Sequence, residues 1–155
     1  MAARPDPDTT LEMSRDFDAP PELVFDAFCD AKALQFIFSA DAYKIVEMTV
    51  DARIGGGWSL AMRDEATGHV ARCAARYLEI ERPKRIVSLT RWLSGPMANE
   101  PENRVTLEFE KSPRGTRLKL THEFLPDRNI CDHQSSGWTS AFDRLAKHLA
   151  HQRAA

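Results

Sequence analysis

The stretch DARIGGGWSLAM at 51–62 decides the fold, because it holds the end of one strand, a glycine turn and the start of the next strand. The glycines at 55–57 permit positive φ and a tight reversal. The large side chains after the turn recur at every second position, and we expect this set to face inward: Trp58, Leu60 and Met62. The stretch therefore predicts a curved antiparallel sheet.

Residues before this turn predict a first strand, two short helices and a second strand. The first strand spans 11–17, and Pro21 suits the first turn of a helix. A second helical stripe covers 31–38, although the break before it is slight and one bent helix is the alternative. The strand at 43–51 has period two, with its more apolar face on the even positions: Lys44, Val46, Met48 and Val50.

Residues after the turn predict four more strands and a long helix. Segment 69–81 carries two competing phases, which indicates a bulge. Segment 85–93 is apolar on both faces, so its inward phase stays open. Segments 105–110 and 117–124 form a hairpin. The final helix begins near Asp127 or Asp132, and one apolar face should lie across the sheet: Trp138, Ala141, Phe142, Leu145 and Leu149.

Composition limits the classes of function. We expect one domain at 11–152 behind a flexible tail at 1–10. The net charge of −2 gives no field that would attract nucleic acid. No apolar run approaches membrane-spanning length, and the three dispersed cysteines suit a reduced, cytoplasmic protein. The glycine turn joins two strands and so lacks the helix start of a phosphate loop, and we predict no cofactor.

The order of elements and several short motifs resemble the SRPBCC or START-like superfamily, in particular homologues of the C-terminal part of the Hsp90 ATPase activator. The resemblance covers nearly the whole chain. It rests on these residues: Phe17 to Pro20, Val24, Phe25, Ala27, Asp51, Arg53, Gly55, Gly56, Trp58, Tyr77, Glu79, Ile80, Pro83, Gly115 to Leu118, Gly137, Trp138 and Leu145.

This resemblance implies an α+β helix-grip fold. Two short helices and a six- or seven-stranded curved antiparallel sheet would enclose an apolar cavity, and the long C-terminal helix would close it. Three features depart from the family pattern. Phe36 and Phe38 replace an aromatic pair that often contains tryptophan, Ile54 replaces a proline, and Ala75 replaces a glycine. The first departure lies near the implied cavity mouth, so the ligand of a relative does not transfer directly.

A small apolar or amphipathic molecule is therefore the predicted partner. We expect these residues to line its cavity: Phe25, Phe36, Trp58, Leu60, Met62, Tyr77, Arg91, Trp92, His122, Trp138 and Phe142. His122 is the polar residue on an inward face, where it would orient a ligand, act as a general base or be satisfied structurally by a backbone carbonyl or a Tyr hydroxyl. Arg91 lines the cavity only if its strand turns that side chain inward.

Other polar clusters carry simpler explanations. Cys131, Asp132 and His133 are adjacent and supply at most two ligands, so we predict no metal site. His148 and His151 suit the C-terminal end of a helix dipole.

Two further functions remain as alternatives to ligand binding. One is a chaperone ATPase regulator, which the family name implies, although only about ten residues precede the first strand and a separate chaperone-binding domain is not expected. The other is a cyclase-, aromatase- or hydrolase-like enzyme, which would need His122 close to Tyr77 or Arg91.

The strand at 85–93 and the loop after it also predict an exposed apolar patch at Trp92, Leu93, Pro96 and Met97. We favour a homodimer that covers this patch. The alternative is a monomer in which Trp92 folds back over the cavity mouth.

Overall fold

The computed structural model describes residues 6–154, and within them the chain forms seven strands and three helices. In chain order these are β1 (Leu11–Phe17), α1 (Pro21–Ala27), α2 (Ala31–Phe38), β2 (Tyr43–Val50), β3 (Gly57–Asp64), β4 (Val70–Glu81), β5 (Arg85–Trp92), β6 (Asn103–Ser112), β7 (Gly115–Glu123) and α3 (Arg128–Ala154).

All seven strands belong to one antiparallel sheet in the order β1-β7-β6-β5-β4-β3-β2. The sheet is curled into a half-barrel, and α3 packs against α2, α1 and β1. This arrangement confirms the predicted α+β helix-grip architecture, with seven strands.

The glycine turn at 51–57 needs its glycines for two different reasons. Gly55 has φ +85°, which disfavours any residue with a Cβ. Gly57 has ordinary φ, but a Cβ there would overlap the backbone carbonyl oxygen of Ala75 on β4. The turn also pairs with β4, since the amide of Gly55 donates to the carbonyl of Tyr77 at 3.2 Å and the amide of Tyr77 donates to Gly56 at 2.9 Å. The turn therefore fixes the backbone of Tyr77.

The two short helices are separate rather than one bent helix. Pro21 occupies the first turn of α1, where its missing amide costs no hydrogen bond. Asp30 then begins α2, because its carboxylate accepts from the amide of Ala33 at 2.9 Å.

Bulges set the inward phase of two strands. The register of β2 shifts between Ile45 and Glu47, so Ile45 is buried and Val46 is exposed. Val46, which the sequence places on the more apolar, even-numbered face of this strand, therefore does not face the core, because period two breaks at a bulge. The bulge predicted in β4 is confirmed, and it lies between Tyr77 and Glu79.

The C-terminal half of α3 packs on a solid core. Asp127 caps the helix, with its carboxylate accepting from the amide of Ile130 at 2.9 Å, so the first of the two predicted caps is the one used. Phe142 and Leu145 are fully buried, and the ring of Phe142 meets Phe17 edge to face at 5.9 Å.

The predicted tail falls partly outside the described residues, which begin at 6. Residues 6–10 form a turn in which the amides of Thr9 and Thr10 donate to the carbonyl of Asp6. The amide of Leu125 donates to Thr9 at 3.0 Å and ties this turn to the segment before α3. Over the described range, no helix combines the length and apolarity that a membrane crossing requires.

Candidate functional site

A cavity of about 190 Å³ lies between the inner face of the sheet and the N-terminal half of α3. Most of its lining is apolar or aromatic: Phe28, Leu34, Phe38, Trp58, Leu60, Met62, Cys73, Ile86, Trp92, Val105, Leu107, Trp138 and Ala141. The polar part of the lining comes from Tyr77, Ser88, Thr90, Asn103, His122 and Gln134, and Gly137 completes it. Among the residues that the structure describes, no charged side chain lines this cavity.

Seven of the eleven residues expected at the cavity do line it. They are Trp58, Leu60, Met62, Tyr77, Trp92, His122 and Trp138. The other four, Phe25, Phe36, Arg91 and Phe142, do not line it.

Phe25 and Phe142 are core residues instead. Phe25 meets Phe109 at 5.1 Å between ring centroids, and Phe142 lies one helical turn beyond Trp138, where α3 contacts the solid core. Periodicity places both on buried faces, but it does not separate a filled part of the interior from an open one.

Phe36 and Arg91 face away from the cavity. Phe36 is 41% exposed, and the Arg144 guanidinium lies 5.6 Å from its ring centroid. Arg91 is exposed because β5 turns Ser88, Thr90 and Trp92 inward, which puts Arg91 on the outer face. This orientation also shows which face of β5 is the inner one, a point that the sequence pattern did not decide.

Several lining residues were not predicted as part of the site. Phe38 lies two positions beyond Phe36 on α2, so it points to a different side of that helix, and its ring is 6.0 Å from Trp58 and 5.9 Å from Trp138. Ser88 and Thr90 follow from Trp92 by period two once the phase of β5 is known.

Asn103 was also missed, because it stands at the start of β6 beside a loop. Its position opposite Thr90 in the sheet places it next to the inward side chains of β5. Only the strand register reveals this neighbourhood.

His122 is held on both ring nitrogens. Its Nε2 lies 2.7 Å from Oδ1 of Asn103, and its Nδ1 accepts from the indole N–H of Trp138 at 3.2 Å. Acceptance at Nδ1 requires the neutral tautomer with the proton on Nε2. Burial lowers the pKa of His122 to about 4, so the ring stays neutral at pH 7.

Two hydroxyl groups of the lining have no hydrogen-bond partner within the described part of the chain. They belong to Tyr77, which is 2% exposed, and Thr90, which is 9% exposed. Burial raises the pKa of the Tyr77 phenol, so this group remains a neutral donor. Buried polar groups without partners are rare in folded proteins, and a site with two of them calls for an explanation.

The cavity opens beside α3. Gly137 is exposed, and Met62, Trp92, Gln134 and Trp138 are half-buried, whereas the deeper lining is closed to solvent. All three tryptophans of the chain line the cavity. Their indole emission therefore reports on its contents.

The described residues contain no group of three or more His, Cys, Asp or Glu side chains arranged to hold a metal ion. The three cysteines are free thiols, and burial raises the pKa of Cys73 in the cavity wall to about 12. The wall therefore offers neither a metal centre nor a thiolate nucleophile at this cysteine.

The sequence of this chain matches a known protein family. The model of the activator of Hsp90 ATPase homolog 1-like protein family matches residues 18–150. The chain belongs to this family. The match confirms the resemblance found in the sequence motifs, and no curated protein sequence matches the chain.

Solved structures of similar proteins extend over nearly the whole chain. A protein from Chromobacterium violaceum is 27% identical, with a TM-score of 0.78 over 90% of this chain and 96% of its own. A protein named AHSA1 from Silicibacter pomeroyi is 23% identical, with a TM-score of 0.80 over 92% of this chain and 99% of its own. A putative uncharacterized protein from Rhizobium leguminosarum is 24% identical, with a TM-score of 0.77 over 92% and 94%. These proteins therefore share the fold of this chain.

Proposed function

We propose that this family member binds a small apolar or amphipathic molecule in the cavity beneath α3. The observation that supports the proposal best is the contrast along one helix. The C-terminal half of α3 closes on a solid core at Phe142 and Leu145, whereas its N-terminal half at Trp138 spans open volume. Protein interiors are normally packed without such gaps, so an apolar gap with an opening suits a ligand.

The volume sets the size of that ligand. An apolar cavity of about 150 Å³ in another protein holds benzene. The cavity here has about 190 Å³, which suits a single ring with a short substituent. The free cysteines support a cytoplasmic location.

The enzyme alternative receives less support from the same geometry. A general base needs a nitrogen that is free to reach the substrate, but both nitrogens of His122 are engaged by Asn103 and Trp138. Arg91, the cation considered for this chemistry, lies on the outer face of the sheet. Ligand binding requires no such group.

The name of the matched family supports a second candidate, regulation of a chaperone ATPase through protein contacts. An ATPase assay of the bacterial Hsp90 homologue, with and without this protein, distinguishes regulation from ligand binding. Reproducible stimulation of the ATPase by the purified protein would favour regulation over ligand binding.

Filling the cavity is expected to abolish ligand uptake. Ala141 is buried and lines the cavity, so the replacement Ala141→Leu puts three more carbon atoms next to the open volume. We expect the wild-type protein to take up a lipophilic dye that is small enough for this volume, to release it to competing small molecules, and to carry a co-purified molecule in native mass spectrometry. We expect Ala141→Leu to lower dye affinity at least ~10-fold, because the ligand loses its space.

The matched control is Ala146→Leu, which makes the same change at an exposed position of the same helix. This variant should bind the dye like the wild type. Equal dye binding by all three proteins, or none by the wild type together with no co-purified molecule, would refute the proposed function.

A further inference from the structure

The two unpartnered hydroxyls in the cavity wall lie on neighbouring strands. Tyr77 on β4 is paired in register with Ser88 on β5, and Thr90 stands two residues further along β5. Side chains in this diagonal relation share one face of a sheet and lie within reach of a common small molecule. The turn at 51–57 holds Tyr77 in place through two backbone hydrogen bonds.

Two other polar side chains of the cavity wall, Asn103 and His122, are engaged with each other rather than with these hydroxyls. They bond to each other at 2.7 Å, and His122 is closed on its other side by Trp138. Both ring nitrogens of His122 are therefore already engaged, while Tyr77 and Thr90 still offer two O–H donors to the cavity.

From this geometry we infer that Tyr77 and Thr90 form a specificity subsite, which binds the oxygen of a neutral, single-ring compound bearing a carbonyl group. The inference rests on the proposed function, and it adds the chemical class of the ligand. One carbonyl oxygen has two lone pairs and accepts from both hydroxyls.

Three properties of the cavity define this class. Its volume of about 190 Å³ admits one ring and a short substituent. Phe38, Trp58 and Trp138 supply aromatic walls for the ring. Within the described range no charged side chain faces the cavity, so a charged ligand would lose its hydration without a counter-charge.

The test compares two ligands that differ only at the oxygen. Acetophenone carries a carbonyl, and α-methylstyrene has the same shape with a methylene group in its place. Their dissociation constants are measured by isothermal titration calorimetry with the wild type and with Tyr77→Phe and Thr90→Val, each of which removes one hydroxyl and keeps the shape of the side chain.

The ratio of the acetophenone constant to the α-methylstyrene constant is the decisive quantity, because it cancels general changes in the cavity. We expect each variant to raise this ratio ~5-fold relative to the wild type, through weaker acetophenone binding alone. Thermal unfolding should occur at an equal or higher temperature in both variants, since each loses a buried hydroxyl that has no partner among the residues that the structure describes.

Tyr43→Phe and Thr106→Val are matched controls, because they remove the same groups from side chains that do not line the cavity. Neither should change the ratio. An unchanged ratio in Tyr77→Phe and Thr90→Val, with both compounds bound, would overturn the subsite and leave the proposed function standing. Failure of both compounds to bind while the dye binds would do the same, whereas failure of compounds and dye together would refute the proposed function as well.

Discussion

Gly57→Ala is expected to lower the free energy of unfolding by about 3 kcal/mol. A Cβ at this position would overlap the backbone carbonyl oxygen of Ala75, so β3 and β4 must separate locally to make room. The Ala75 carbonyl belongs to β4, which is hydrogen-bonded to β3 on one side and to β5 on the other. It therefore cannot move away as a flexible side chain does. Urea unfolding followed by tryptophan emission measures the change, and all three indoles lie in the cavity next to the affected strands.

Gly137→Ala is the matched control for this prediction. Gly137 lies within α3, and a Cβ there would meet nothing within 4 Å. Alanine in a helix interior is preferred over glycine by about 1 kcal/mol, so this variant should be as stable as the wild type or more stable. A loss in Gly57→Ala no larger than the change in Gly137→Ala would contradict the close packing of the turn on β4.

Acidification from pH 8 to pH 5 is expected to lower the free energy of unfolding by about 2 kcal/mol through His122 alone. The folded pKa of about 4 lies below the ordinary value of 6.5, so the unfolded chain binds the extra proton between these values. The contribution of neutral His122 to the free energy of unfolding is therefore complete above pH 6.5 and is lost as the pH falls toward 4. A proton on Nδ1 would also face the indole N–H of Trp138, which now donates to that atom.

His122→Gln isolates this contribution, because glutamine keeps an amide donor and acceptor near Asn103 and Trp138 but does not titrate. We expect this variant to lose about 2 kcal/mol less than the wild type between pH 8 and pH 5, by urea unfolding at both values. His69→Gln, at an exposed position, should behave like the wild type. Parallel pH profiles for the wild type and His122→Gln would contradict the buried, neutral state of His122.

The order of elements could be predicted because each carries a local signal. The turn at 51–57, the proline that begins α1 and the apolar face of α3 are all visible in the sequence, and all are present in the structure. The bulge in β4 was also predictable, since the apolar phase changes within one strand. Local patterns were sufficient for these features.

The site was less predictable, because its residues depend on register and on packing. Strand β5 is apolar on both faces, so its sequence does not reveal that Thr90 faces inward and Arg91 outward. Asn103 and His122 lie on different strands, β6 and β7. Their side chains meet because of the register between these strands, which is not visible in the sequence. Phe142 and Trp138 share one helical face, yet one fills the core and the other lines the cavity.

Assembly remains a prediction. Leu93 is more than half exposed, as the proposed dimer patch requires, whereas Trp92 is half-buried and lines the cavity, as the monomer alternative requires. We expect a second copy to cover Leu93 and Met97 in solution.

A crystal structure of the wild-type protein grown with acetophenone tests ligand binding in the cavity most directly. We expect electron density for one ring between Phe38, Trp58 and Trp138, with the ketone oxygen within hydrogen-bond distance of the Tyr77 and Thr90 hydroxyls. A cavity closed by its own side chains, or acetophenone bound only outside it, would show that the cavity does not bind such a ligand.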